Sequence, residues 1–107
     1  MSDSSKVIPL SAAGKAALRK IRLLAADSEN VPILPQFREW ITEAGITPPQ
    51  LCRTLRYGEV EIPPHLNSNG HWEVSLIYID SGDEITLTAA LDIDEETGRS
   101  IVALLKL

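Results

Sequence analysis

Arg53, Arg56 and Tyr57 lie close together in the chain, and His65 and His71 follow a short distance on. Arg53 and Arg56 are three apart and share a face if the segment is helical. Such a pair can hold a phosphodiester through charge-assisted hydrogen bonds, while histidine or tyrosine moves its protons. Read as an enzyme, the set describes a metal-independent ribonuclease. Arginine would stabilise the pentavalent phosphate, and histidine or tyrosine would act as acid and base. The same residues also have plain structural roles. Arg56 suits the end of a helix, where a cation meets the negative end of the dipole, and the histidines suit a loop and a strand edge. No spacing among the five is diagnostic of one chemistry.

Three further features carry weaker chemical signals. Asp92, Asp94, Glu95 and Glu96 precede Gly98 and resemble an oxygen-rich cation loop. Calcium loops need a longer ligand series and a terminal bidentate glutamate, so a solvated hairpin turn is expected. Cys52 is the single cysteine, which excludes an internal disulfide. It falls on the apolar face of a helical pattern and is expected to be a small buried hydrophobe. There is no glycine-rich phosphate loop, no serine-centred elbow, no paired cysteine and no histidine pair at metal spacing. No metal and no cofactor are expected.

The elements that must position these groups can be read from period and punctuation. Between Ser11 and Asp27, the residues Ala17, Leu18, Ile21, Leu24 and Ala25 recur at helical spacing, with Ser11 as N-cap. Lys15, Arg19, Lys20 and Arg22 fall mostly on the other side, which predicts a basic, solvated helix face. A second helix starts at Pro35, a residue suited to the first turn, and carries Phe37, Trp40, Ile41 and Ala44 as a stripe. Gly45 stands where a left-handed cap belongs. The third helix opens with Thr47-Pro48-Pro49-Gln50, a capping box flanked by Ile46 and Leu51 at the hydrophobic-staple positions. It directs Leu51, Cys52 and Leu55 inward and ends at Gly58.

Beyond Gly58 the period changes to two. Glu59 to Ile62 alternates, Pro63-Pro64 is expected to stop that strand, and His65 to Gly70 reads as a polar loop. A strand from His71 to Asp80 carries Trp72, Val74, Leu76 and Tyr78 on one face. Ile77 and Ile79 on the other face suggest that it is central. Ser81-Gly82-Asp83 is a turn, Ile85 to Ile93 alternates again, and Ile101 to Leu105 closes the sheet. Short connections make the long strands sequential antiparallel neighbours. The expected fold is α+β: two to three N-terminal helices on one face of an antiparallel β-meander of three to four strands. Residues 1–9 are polar and unpatterned enough to be a flexible N-terminus, leaving residues 10–107 as one domain.

Phe37 to Tyr57 also has the outline of a helix-turn-helix, which makes a DNA-binding regulator an alternative. A recognition helix would need polar readers along its exposed face and further helices for its core, whereas a β-meander follows here.

Glu39-Trp40-Ile41-Thr42-Glu43-Ala44-Gly45-Ile46-Thr47, continued by Leu55-Arg56-Tyr57-Gly58-Glu59-Val60, resembles a small prokaryotic domain family of unknown function. Its members carry a helix ending in an Arg-Gly-Ile-Ser/Thr step, then a helix closing in Leu-Arg-Asn-Gly-Glu-Ile/Val, then a meander. That architecture is similar to RelE-like and MqsR-like toxins, small ribonucleases of toxin-antitoxin systems. The resemblance covers roughly residues 34–107, with its specific part confined to about twenty. Members place histidine at the start of the first matched helix and arginine further along it. Gln36, Trp40 and Ala44 stand there in this chain, while Arg56 and Gly58-Glu59 are retained. The resemblance therefore implies a toxin-like scaffold without its catalytic groups, acting as a protein-interaction or binding module. With an apolar residue at position 40, the stripe predicts that Trp40 is buried between its helix and the sheet.

Composition narrows the partners. At 107 residues, with 44% apolar and 23% charged residues, the chain is an ordinary globular length and mixture. No apolar run approaches the ~20 residues of a bilayer span, and no charged segment precedes an apolar run, so a cytoplasmic protein without a signal peptide is expected. The net charge of −5 is unevenly placed: residues 1–57 hold eight basic and five acidic residues, a balance of +3, and residues 58–107 hold two and ten, a balance of −8. Polyanion binders gather basic residues on one face, and the acidic half opposes this. A basic protein at the acidic sheet half is the expected partner. RNA is a weak option, a homodimer is left open, and no membrane is involved.

Overall fold

The computed structural model describes residues 11–107. The expected flexible segment, residues 1–9, lies outside the described residues. Three helices, α1 (Ala12–Leu24), α2 (Pro35–Ala44) and α3 (Pro48–Tyr57), precede strands β1 (Glu59–Leu66), β2 (Trp72–Asp80), β3 (Asp83–Ile93) and β4 (Ser100–Lys106). A 3-10 turn, Ser28–Asn30, which helical spacing does not announce, follows α1. The strands form one antiparallel sheet in the order β1-β2-β3-β4, and the helices pack against it in an α+β fold.

Local chemistry sets most of the boundaries. The Ser11 hydroxyl accepts from the Gly14 N–H at 2.9 Å, capping α1. α2 ends with Gly45 at φ 73°, and the Ile46 N–H reaches back to the Ile41 carbonyl at 2.8 Å, a Schellman closure. At the start of α3 the Gln50 carboxamide accepts from the Thr47 N–H at 2.8 Å, the return half of the capping box. Its Nε2 lies 3.3 Å from Asp83 Oδ2, which ties the start of α3 to the β2–β3 hairpin. That hairpin has a two-residue loop, Ser81–Gly82, with both residues at positive φ. This is the turn whose twist suits antiparallel strands.

One core lies between the layers. Val74 and Leu76 of β2, Ile85, Leu87 and Ala89 of β3 and Val102 of β4 meet Ile21, Phe37, Ile41, Leu51 and Leu55 from the helices, all buried. α1 comes close to the sheet through its small residues: a Cβ at Gly14 would lie 3.5 Å from both the Pro64 and Trp72 side chains.

Three expectations are corrected. Trp40 is 40% exposed and is not a core residue. Phe37 and Ile41, one turn apart, take the inward positions, and helical geometry turns Trp40 by about 100° from Ile41 onto the rim. There it rests against Phe37, with ring centroids 5.6 Å apart. Next, β1 does not stop at Pro63-Pro64 but runs on to Leu66, pairing His65 with Glu73 and Leu66 with Trp72. β1 is an edge strand, and two register shifts absorb the prolines, whose missing N–H groups cost an edge nothing. Finally, Arg22 does not stay on the solvated face of α1. Its guanidinium donates to the carbonyls of Leu55 at 3.1 Å, Arg56 at 2.9 Å and Gly58 at 2.9 Å. Another helix thus supplies the cation that the C-terminus of α3 favours.

Candidate functional site

The five residues singled out for phosphodiester chemistry fall into two groups. Arg53, Arg56 and Tyr57 close α3, beside the start of β1, where Glu59 pairs with Ile77. His65 and His71 sit toward the other end of the sheet, where His65 pairs with Glu73. β1 is eight residues long, and eight extended residues span roughly 25 Å. The structure therefore brings Arg53, Arg56 and Tyr57 together and keeps the histidines apart from them.

Each group has its own local partners. Arg53 Nε lies 2.7 Å from Asp80 Oδ2, joining α3 to the end of β2. The Arg56 guanidinium carbon stands 4.9 Å from the Tyr57 ring centre, and that ring neighbours Tyr78 at 6.3 Å. At the far end, His65 Nδ1 lies 2.9 Å from the Pro63 carbonyl and its Nε2 lies 3.8 Å from Glu73. His71 Nε2 lies 3.4 Å from Asp92 Oδ1. Asn67 organises this end: its Nδ2 donates to Glu73 at 3.1 Å, and its Oδ1 accepts from the His71 N–H at 3.0 Å. Among the described residues, no three His, Cys, Asp or Glu side chains gather at metal-binding spacing.

Cys52 is half-buried in a depression with Pro48 and Pro49 of α3 and Ala25 and Ala26 after α1. Burial pushes its thiol pKa up, and the positive charges of Arg56 and Arg53 act against that rise without cancelling it. α3 also carries the second helix of the helix-turn-helix outline. Gln50, Leu51, Thr54 and Leu55 are buried against the rest of the molecule, and its charged outer face consists of Arg53 and Arg56 alone.

The acidic turn is a hairpin loop after β3, with Gly98 at φ 73°. Asp94 accepts from the Glu96 N–H at 2.8 Å and Asp92 from the Ile93 N–H at 2.7 Å. Those two carboxylates are held by local backbone, which leaves Glu95 and Glu96 exposed at the tip.

Arg56 and Tyr57, but not Arg53, border a groove of about 450 Å³ along α1. Lys15, Arg19 and Arg22 line it at i, i+4 and i+7, Arg56 and Tyr57 close it, and Leu18 and Leu23 add apolar surface. Lys15 and Arg19 were legible only as members of a solvated face, and Leu23 was given no role. The signal for a site was Leu23, an apolar residue outside the inward stripe of α1 and 69% exposed in the fold.

Comparison with family models, with curated proteins and with solved structures finds no match for this chain.

Proposed function

We propose that this chain is a toxin-like scaffold acting as a non-catalytic protein-interaction module, and that it meets a basic protein at the acidic end of its sheet. The observation that carries the reading is the division of the five chemical residues between two ends of the sheet. An acid–base pair and a phosphate clamp must reach one phosphorus within hydrogen-bond distance; a strand length separates both histidines from the arginines here, which leaves Tyr57 alone beside the clamp. Arg53, His65 and His71 each have a carboxylate or carbonyl beside them. Support for the partner comes from the −8 balance of residues 58–107 and from the exposed carboxylates of Glu95 and Glu96 at a hairpin tip. Such a tip steers a cationic partner over about a Debye length, an attraction that fades as salt rises.

Two measurements test this. Purified protein is incubated with total RNA in the presence of a chelator, and the RNA is expected to stay intact. Cleavage that disappears in Arg56→Ala or His71→Ala would replace the reading with a metal-independent ribonuclease. Tagged protein is then used for capture from the native host. A partner retained at low salt should be released at high salt and lost from a Glu95→Lys, Glu96→Lys double variant. Capture of the same partner by that double variant would refute the acidic tip as the contact.

A further inference from the structure

The groove between α1 and the end of α3 lies on the opposite charge half of the chain from the hairpin tip, and nothing above gives it an occupant. We propose that it docks an acidic, amphipathic helical segment of a partner protein.

The cations are the first argument. Among the described residues, no carboxylate lies within 4 Å of Lys15, Arg19 or Arg56; the ion pairs there are Arg53–Asp80, His65–Glu73 and His71–Asp92. The C-terminus of α3 could have offered them a negative pole, but Arg22 occupies its last carbonyls. Among the described residues, the groove's cations thus have no ion-pair partner, in a protein of net charge −5.

Its apolar surface is the second argument. Leu18 is half-buried, Leu23 is 69% exposed and Tyr57 is 54% exposed. An exposed leucine beside an exposed tyrosine is the kind of surface that an amphipathic helix covers with its apolar face. At 100° per residue, Lys15 and Arg19, one turn apart on α1, lie between Leu18 and Leu23, so carboxylates at i and i+4 of a docked helix would meet them while leucines beside those carboxylates face Leu18 and Leu23.

Single-stranded RNA fits these residues less well. Bases stack on aromatic rings or arginine planes, and the apolar part of this groove is aliphatic apart from Tyr57. A polyanion longer than the groove would also meet the acidic half of the protein.

The test uses the full chain and fluorescence anisotropy. The probe is a labelled helical peptide with glutamates at i and i+4 and leucines bordering that acidic stripe, compared with its Glu→Gln counterpart and with labelled oligouridine. The glutamate peptide should bind saturably, and binding should weaken at least about tenfold with the glutamine peptide or in Arg19→Glu or Leu23→Ser. Both substituted residues are exposed, and an unchanged melting temperature verifies that the fold survives. Glu95→Lys should leave peptide binding unaltered, which separates this surface from the hairpin tip. Absence of saturable binding, or equal binding by Arg19→Glu and Leu23→Ser, overturns the proposal. Oligouridine that displaces the peptide reassigns the groove to nucleic acid. Self-association that Leu23→Ser abolishes reassigns it to a second copy of the chain.

Discussion

At Gly58 the backbone is in an ordinary extended conformation, φ −65° and ψ 155°, so glycine is not required there for its freedom. It is required for space. A Cβ would stand 2.6 Å from the Thr54 carbonyl oxygen and 3.0 Å from that of Ile77, and both are backbone atoms that cannot swing aside. Gly58→Ala is expected to cost about 1–3 kcal/mol, read as a lower midpoint in urea with an unchanged slope. Trp40 behaves oppositely. With 40% of its surface in water, Trp40→Ala should cost well under the ~3–5 kcal/mol of a core tryptophan, and thermal melting will show a small shift. Cys52 is half-buried with its thiol pKa raised, so iodoacetamide should modify it more slowly at neutral pH than it modifies a free thiol. Because the folded thiol holds its proton more tightly, its contribution to stability is complete below the ordinary thiol range. That contribution is lost as pH rises through the higher folded value.

Among the elements, α3 depends most on residues outside itself. Its start is held by Gln50, which joins the Thr47 N–H to Asp83, and its end is held by Arg22 of α1. Arg22→Met keeps most of the aliphatic stem and removes donors to three carbonyls, two of them in the last turn of α3. The loss should be about 1–3 kcal/mol, since carbonyls at a partly buried helix end lose their partners. Amide hydrogen exchange should show the effect first in Leu55 to Tyr57, the turn that Arg22 covers. A uniform loss of protection across the sheet, with none concentrated in that turn, would count against Arg22 as the cap.

For the whole molecule, the governing feature is the division of charge between its two layers. The helical half carries +3 and the sheet half −8, with ten acidic residues against two basic ones in the latter. Raising ionic strength from about 0.01 M to about 0.15 M shortens the screening length from roughly 30 Å to 8 Å. Repulsion among the sheet carboxylates then weakens, and the melting temperature should rise by a few degrees. A fall in melting temperature over that range would mean that attraction between the two halves outweighs repulsion within the sheet. The same division puts the acidic hairpin tip in one half of the chain and the basic groove in the other.

The local codes were legible without any structure. Ser11, Gly45 and the Thr47–Gln50 box end or begin their helices through groups a few residues apart, and the period-two pattern of β2 and β3 depends only on alternation. Short connections between alternating segments then leave the meander as the economical topology. Tertiary structure decided everything that depends on where one element stops against another. Arg22 reaches carbonyls more than thirty residues away, and its sequence position is indistinguishable from that of a solvated helix arginine. The edge position of β1 let the strand run through Pro63-Pro64, which carried His65 a strand length away from Arg56. Trp40 shares its apolar stripe with Phe37 and Ile41, and only the rotation of α2 on the core selects which two of the three are buried. Capping and periodicity are energies between near neighbours in the chain. Register, helix rotation and edge position come from the packing of distant segments, and no spacing within one segment encodes them.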